Sequence, residues 1–167
     1  PLADGVRVAK AFLSAIGAYG SDLRNKGFSG FLTELLVLEY GGFRAFVEAA
    51  ADWEPPIRFD PAEHGERSFE DSLVVIDPTD PERNVAAVCS PRNVARLIHH
   101  ARELLDDPRP ERFESDSPEP LAAADVRARL DARGTAPVAV RFAAPDTVAD
   151  QLYPQLEQSP HGLETAL

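Results

Sequence analysis

The chain has 167 residues, a formal net charge of −11 and a single cysteine, Cys89. No apolar run approaches the ~20 residues that a membrane helix needs, so the composition predicts a soluble, cytoplasmic protein. One cysteine excludes an internal disulfide and every metal site built from several cysteines, and Cys89 is interpreted as a small buried hydrophobic residue.

Charge is distributed unevenly along the chain. Arginine supplies 15 of the 17 cationic side chains, and Lys10 and Lys26 are the only lysines. Residues 1–50 carry five cations and five acids, so the whole negative excess lies downstream. Such an acidic surface favours a protein from a high-salt cytoplasm, and the neutral first part is the better candidate for contact with phosphate groups.

Three helices are predicted within the first fifty residues. Apolar residues at helical spacing predict a helix from Asp4, as its N-cap, to about Gly17. Ser29 is predicted to cap a second helix that ends near Tyr40, before two glycines. A third helix has an apolar face formed by Phe43, Phe46, Val47 and Ala50. Apolar-faced helices joined by short glycine turns predict a helical bundle.

The middle of the chain alternates between loops and short regular segments. Residues 54–72 lose the helical period and are interpreted as an extended loop, whereas "SLVVID" predicts a short strand. "DPTDPE" is interpreted as a tight double turn. Ser90 and Pro91 begin another helix. Its predicted apolar stripe consists of Val94, Leu97, Ile98, Ala101 and Leu105.

The tetrapeptide RNVA occurs twice, at residues 83–86 and 92–95. Arg92 and Asn93 fall in the first turn of a predicted helix and are interpreted as solvated surface positions. Arg83 follows the stiff Asp-Pro-rich turn, which would fix the direction of its side chain. The first copy is therefore the one expected to have a function.

The last third predicts a second, incomplete domain. Residues 106–120 are rich in proline and acid and predict a linker or a segment that skirts the edge of the fold. A helix at 123–133, a strand at 137–143 and a helix from about Thr147 predict the beginning of an α+β unit. A single strand cannot form a sheet. The predicted domains are 1–115, mainly helical, and 116–167, a partial α+β domain.

Three blocks of the sequence resemble a known family in the same order. They read "VRVAKAFLSAIGAYGSDLRNKGFSGFLTELL", "VVIDPTDPERNVAA" and "TAPVAVRFAAPDTVADQLYPQLE". They resemble the region after the catalytic head of archaeal CCA-adding enzymes, the class I tRNA nucleotidyltransferases. The resemblance implies a helical substrate-binding domain like that of poly(A) polymerases, followed by the start of a ferredoxin-like domain. It also implies a fragment without the N-terminal catalytic head, inactive alone.

The resemblance implies a function and site residues. The family adds C, C and A to the 3′ end of tRNA from CTP and ATP without a nucleic acid template. By position, Lys10 and Tyr19 match residues that bind the incoming nucleotide, and Arg83 matches an arginine that helps to read its base. A lysine is a mobile charge for a triphosphate, and a planar guanidinium offers paired donors to a base edge. The implied partners are the tRNA 3′ acceptor end, ATP and CTP, with Mg²⁺ bound by the absent head.

The sequence departs from the family at two positions, and it contains no predicted catalytic residue. The family commonly has Arg-Gly where this chain has Lys26-Gly27, and tyrosine at Phe31, so neither position is assigned a role. Nucleotidyl transfer needs carboxylates that hold Mg²⁺, and no suitable pair follows Gly20-Ser21. His99 and His100 are adjacent on a helix and are expected to point to different sides, which suits a metal site poorly.

Structural alternatives stay open for each implied site residue. Lys10 can lay its stem along the apolar stripe, Tyr19 can pack in a turn, and Arg83 can pair with Asp77 or Asp80. Two other functions also stay open: a poly(A) polymerase-like template-independent transferase, and a non-enzymatic acidic module that binds a protein partner. The unpaired edge of the truncated domain leads us to expect aggregation or a partner, a homodimer among the options.

Overall fold

The computed structural model describes residues 2–115, 120–139, 141, 143 and 145–164. About half of the chain is helical, and a small three-stranded sheet lies within the described part, as expected for a helical domain followed by the beginning of an α+β domain. The elements are α1 (Leu2–Ala15), α2 (Gly30–Glu39), α3 (Phe43–Ala51), β1 (Ile57–Phe59), β2 (Leu73–Asp77), β3 (Asp80–Asn84), α4 (Pro91–Asp106), a 3₁₀ helix (Pro110–Phe113), α5 (Ala123–Arg133) and α6 (Ala149–Glu164).

The ends of the first helices follow local chemistry. Helix α1 begins before Asp4, so the prediction that Asp4 is the N-cap is wrong; its carboxylate instead accepts a hydrogen bond from Arg7 at 2.7 Å. The cap at Ser29 is confirmed, because its hydroxyl accepts from the N–H of Leu32 at 3.0 Å. Gly41 ends α2 with a φ of 78°, a left-handed conformation that favours glycine.

The core lies between the helices and the sheet. Helix α1 packs on α2 and α3, and α3 packs along α4. The rings of Phe12, Phe43 and Phe113 contact one another, with centroids 5.9 Å apart for Phe12 and Phe43 and 5.7 Å apart for Phe12 and Phe113. Because Phe113 belongs to the 3₁₀ helix, the segment after α4 is docked on the helical layer rather than being a free linker. The largest fully buried side chains include Phe12, Phe28, Phe46, Leu13, Leu32, Leu36, Leu73, Ile76 and Leu97.

The sheet corrects two predictions. The predicted loop at 54–72 contains β1, which pairs in parallel with β2. The predicted double turn "DPTDPE" is a turn only at its start, because Asp80–Asn84 forms β3, antiparallel to β2. Both strands are short, and the alternation of apolar and polar residues in β1 covers only three residues, which is too few to predict a strand. Pro81 is tolerated because β3 is an edge strand, where a residue without an N–H leaves no ladder bond unmade.

The bounds of the later helices agree with prediction, and the predicted apolar stripe of α4 differs at one side chain. Ser90 caps α4 by accepting from the N–H of Asn93 at 3.3 Å. Leu104 completes the buried face of α4, and Leu105 is 42% exposed, so the predicted stripe ended one residue too late. Helices α5 and α6 confirm the predicted helices near 123–133 and after Thr147. No described helix combines the length and apolar character needed to cross a membrane.

The strand predicted at 137–143 is not observed in the residues that the structure describes there. Residues 137–139, 141 and 143 belong to no strand, and residues 140 and 142 lie outside the described part. A strand satisfies its backbone groups only by pairing. Within the described chain, no other segment pairs with these residues.

Candidate functional site

Lys10 and Tyr19 come together at the start of α2. A Cβ built on Gly30 would lie 3.3 Å from the hydroxyl oxygen of Tyr19 and 3.6 Å from Nζ of Lys10. Gly30, the first residue of α2, therefore leaves open the space that both polar groups adjoin. The structure brings together two of the three side chains that the resemblance implies for nucleotide binding.

A carboxylate on α2 holds the ammonium group of Lys10. Lys10 is half-buried at the edge of the apolar face of α1, as its spacing predicted, and Nζ donates to Oε1 of Glu34 at 2.7 Å. This hydrogen bond raises the pKa of Lys10, so the side chain stays cationic at physiological pH. The sequence analysis did not identify Glu34 as the partner of Lys10, because nothing local indicates a contact between residues 24 positions apart.

Tyr19 is fixed by a tight backbone arrangement rather than by a regular element. Its N–H donates to the carbonyl of Leu13 at 3.1 Å, and it forms an isolated bridge with Phe28. Gly20 has a φ of 106°, which favours glycine. A Cβ on Gly27 would lie 2.1 Å from the carbonyl oxygen of Ala18, so only glycine fits there. The two glycines set where Tyr19 lies relative to Lys10.

Arg83 is anchored at one side of its guanidinium group. Nη1 donates to Oδ2 of Asp77 at 3.1 Å; the Asp77 side chain is 3% exposed and the Arg83 side chain 61%. The pKa of Asp77 is lowered, first by hydrogen bonds from the N–H and hydroxyl of Thr79 and then by Arg83. Of the two pairings proposed from the sequence, the one with Asp77 is confirmed. Asp80 accepts instead from the N–H of Glu82 at 3.0 Å.

Arg83 also lines a cavity of about 280 Å³ next to the start of α2. Ser29 and Phe31, which flank Gly30, line the same cavity. No described contact joins Arg83 directly to Lys10 or Tyr19. The other lining residues are Ser21, Gly27, Val85, Val88 and Cys89. Lys10 and Tyr19 thus adjoin Gly30, whereas Arg83 lines a separate cavity that is bordered by the two neighbours of Gly30, Ser29 and Phe31.

Cys89, at the wall of this cavity, is expected to be chemically inert in the folded protein. It is buried, and burial raises the pKa of its thiol to about 12. A nucleophilic thiol must be ionised, so at pH 8 iodoacetamide should modify Cys89 only after the chain is unfolded in guanidinium, where the pKa returns to about 8.5. Mass spectrometry of native and unfolded samples checks this. Equal labelling of both samples would contradict it.

Asn84, the residue after Arg83, links β3 to β2 through the hydrogen bonds of its side chain. Its Oδ1 accepts from the N–H groups of Val75 and Ala86, both at 2.9 Å. Its Nδ2 donates to Oδ2 of Asp71 at 3.0 Å and to the carbonyl of Leu73 at 3.2 Å. The side chain is buried and replaces backbone ladder bonds at the irregular part of this strand pair. Sequence reasoning concentrated on Arg83 and missed Asn84.

Asn93, in the second RNVA copy, is also buried, so its prediction as a solvated residue is wrong. Its Nδ2 donates to the carbonyls of Asn25 at 2.7 Å and Lys26 at 2.9 Å. Its Oδ1 accepts from Nη1 of Arg96 at 3.2 Å. Arg92 is exposed, as predicted. The repeated tetrapeptide could have indicated this role, because the asparagine of each copy is buried and its side-chain hydrogen bonds link two segments of the chain.

The prediction that His99 and His100 point to different sides is wrong. Their ring centroids are 5.0 Å apart, and both rings lie beside Oε2 of Glu103, at 3.7 Å from His99 Nε2 and 2.8 Å from His100 Nδ1. Arg112 Nη1 lies 3.2 Å from the same oxygen. A cation already pairs with the one carboxylate of this group, which disfavours it as a metal centre.

Two family models match the chain. Residues 4–114 match the family described as tRNA nucleotidyltransferase, second domain, and residues 133–167 match CCA-adding enzyme, C-terminal domain. The curated relatives include proteins named CCA-adding enzyme from Haloarcula marismortui, 67% identical over 95% of this chain and 34% of its own length, and from Halorubrum lacusprofundi, 61% identical over 99% and 36%. A third, from Methanosarcina barkeri, is 44% identical over 92% and 34%. The chain spans about a third of the length of the curated relatives it matches.

Proposed function

Because the chain belongs to the tRNA nucleotidyltransferase family, we propose that it is the nucleotide- and acceptor-end-binding part of a CCA-adding enzyme. The intact enzyme adds C, C and A to the 3′ end of tRNA from CTP and ATP without a nucleic acid template, in the cytoplasm. The observation that carries the site assignment is the meeting of Lys10 and Tyr19 at Gly30 beside the Arg83 cavity. Family membership leaves the non-enzymatic acidic module without support.

The proposed domain organisation keeps the predicted boundary. Residues 1–115 form a helical domain of the poly(A) polymerase kind, and residues 116–167 begin a ferredoxin-like domain. The two family matches, at 4–114 and 133–167, support this division because they fall on either side of it. The docked Phe113 ring supports a boundary after the 3₁₀ helix rather than at the end of α4.

Lys10 and Tyr19 hold the triphosphate in this proposal. The ammonium group of Lys10 supplies charge, and the hydroxyl of Tyr19 donates to a phosphate oxygen. Glu34 holds the ammonium group of Lys10 beside the space above Gly30 until the nucleotide binds. The arriving triphosphate then competes with Glu34 for the ammonium group. Because this group is already in position before the nucleotide binds, the site is preorganised rather than assembled on binding.

Arg83 reads the base in this proposal. Asp77 holds one N–H edge of its guanidinium, which leaves other N–H donors free to face a base. Cytosine and adenine present an acceptor ring nitrogen beside an exocyclic amine, whereas uracil and guanine carry a ring N–H at that position. A fixed donor therefore favours C and A, because U and G would leave donors opposed and unpaired.

Mg²⁺ is assigned no ligand in this chain. It prefers a shell of oxygen atoms, and the described group of His99, His100 and Glu103 offers two ring nitrogens and a carboxylate already paired with Arg112. These residues do not fit the ion. We propose that the Mg²⁺-binding carboxylates belong to another part of the intact protein and that this chain alone is inactive.

Replacing Arg83 in the intact enzyme tests the proposal. For Arg83→Lys, incorporation of C and A into tRNA lacking its 3′ end should fall relative to U and G by about tenfold or more, because lysine keeps a cation near Asp77 but lacks the planar donor pair. Arg83→Ala should show the same loss. The measurement is kcat/KM for each of the four nucleotides.

Arg44→Ala is the matched control, since Arg44 is exposed on α3 and pairs with Glu48. It should leave nucleotide choice unchanged. Unchanged discrimination in both Arg83 variants would remove the base-reading role. Equal activity of the unmodified enzyme on tRNA and on unrelated RNA would instead favour the poly(A) polymerase-like transferase.

A further inference from the structure

A second cavity, of about 270 Å³, lies beside the same loop that borders the Arg83 cavity. Lys26 lines this second cavity, and the next residue, Gly27, lines the first. Four cationic side chains converge here: Arg24, Lys26, Arg92 and Arg96. Asn25, Ser90, Asn93 and one carboxylate, Glu157, complete the lining. The chain as a whole has 28 acidic and 17 cationic side chains. The excess of cations over acids at this cavity is therefore opposite to the excess of acids in the whole chain.

Three of the four cations have no carboxylate partner among the residues that the structure describes. Arg24 lies over the ring of Tyr153, with its guanidinium carbon 5.5 Å from the ring centroid. Arg96 donates to the carbonyl of Gly17 at 2.8 Å and to Asn93. Arg92 forms no described ion pair, and Lys26 pairs with Glu157. The positive charges of these three side chains are therefore not offset by a described carboxylate, which favours an anionic ligand at this cavity.

The backbone that carries Lys26 is held in place before any ligand arrives. Asn93 binds the carbonyls of Asn25 and Lys26, and the N–H of Ser90 donates to the carbonyl of Lys26 at 2.8 Å. Lys26 has a φ of 51°, an uncommon conformation for a residue with a side chain. The loop is thereby fixed on the first turn of α4, a 16-residue helix whose N-terminal dipole adds positive potential to the arginines.

We propose that this cavity binds backbone phosphates of RNA. Several arginines spaced around an open cavity, whose described lining residues include no aromatic side chain, suit a chain of phosphodiesters recognised by charge and paired donors. The inference rests on the proposed function: the adjoining Arg83 cavity is where the RNA end is extended, so the phosphates bound here are those close to that end. Glu157 occupies the position on Lys26 that a phosphate oxygen would take.

Two substitutions with opposite expected effects test the proposal in the intact enzyme. Arg92→Ala should weaken binding of tRNA lacking its 3′ end about five- to tenfold and reduce the slope of log affinity against log salt by about one. Glu157→Gln should strengthen binding, because it removes the competing carboxylate. Fluorescence anisotropy with labelled tRNA, at a series of salt concentrations, measures both. Arg44→Ala is the control with unchanged binding.

These results separate the inference from the proposed function. CTP binding and nucleotide choice should not change in Arg92→Ala, since Arg92 does not line the Arg83 cavity and has no described contact with Lys10, Tyr19 or Arg83. If neither Arg92→Ala nor Glu157→Gln changes tRNA affinity, the phosphate site is excluded even if the enzyme adds CCA normally, and an acidic protein segment becomes the alternative occupant. A protein that never extends tRNA would overturn the proposed function itself.

Discussion

Asn84→Ala is expected to lower the free energy of unfolding by about 3 kcal/mol, because it leaves the N–H groups of Val75 and Ala86 buried without acceptors. The change also removes the donor to the carbonyl of Leu73 and to Asp71. Each unsatisfied buried group costs about 1–3 kcal/mol. Equilibrium unfolding in urea at constant salt, followed by the fluorescence of the buried Trp53, measures the loss.

Glu82→Ala on the same strand is the matched control. Glu82 is exposed, and its only described hydrogen bonds use its backbone N–H and carbonyl. Its replacement should change stability by less than about 0.5 kcal/mol. If Asn84→Ala were as mild as Glu82→Ala, the four hydrogen bonds of Asn84 would have no net importance for the sheet.

Asn93→Ala is expected to cost about 2 kcal/mol and to loosen the loop that carries Lys26. Its amide group satisfies the carbonyl of Asn25 and shares that of Lys26 with the N–H of Ser90. Only the first carbonyl is left with no described partner, so the expected loss is smaller than for Asn84. Hydrogen exchange of the amides of residues 25–28 should accelerate more than that of the α1 core.

Arg92→Ala provides the comparison within the same tetrapeptide. Arg92 is exposed without a described ion pair, so its removal should leave stability and loop exchange unchanged while weakening RNA binding. Asn93→Ala, in contrast, should lower the stability and accelerate hydrogen exchange in the loop. If Arg92→Ala destabilised the loop as much as Asn93→Ala, the assignment of a structural role to Asn93 and a ligand-binding role to Arg92 would be wrong.

One segment connects both cavities and the position proposed for the triphosphate. Residues 19–29 begin at Tyr19, pass Lys26 and Gly27, and end at the Ser29 cap of α2. Asn25 extends the connection, because its side chain donates to the carbonyls of Tyr19 and Gly20. A phosphate bound at Lys26 and a nucleotide at Tyr19 would therefore contact one continuously hydrogen-bonded unit.

Resemblance contributed more to the site than periodicity did. Spacing placed Lys10 at the edge of the apolar face of α1, which the structure confirms, but it gave no reason to link Lys10 with Tyr19 or Arg83. That link came from the three matching blocks. Neither approach found Glu34, because a salt bridge between two helices leaves no local pattern. The orientation of the two adjacent histidines was likewise wrong, since both rings turn toward Glu103.

The sequence by itself determined the features that depend on neighbouring residues. Helices α1 to α4, the caps at Ser29 and Ser90 and the stop at Gly41 follow from period, capping groups and backbone preference within a few positions. The burial of Cys89 and the acidic surface follow from composition. These features were predictable because the interacting groups lie within one or two turns of each other.

Only the tertiary structure decided which polar residues are buried and what they face. Asn84 and Asn93 stand in the same four-letter motif, yet one binds a neighbouring strand and the other a loop 67 and 68 residues earlier in the chain. Strand β1 likewise exists only because β2 lies beside it. Hydrogen-bond partners brought together by chain folding stabilise these positions, and such partners leave no trace in local sequence.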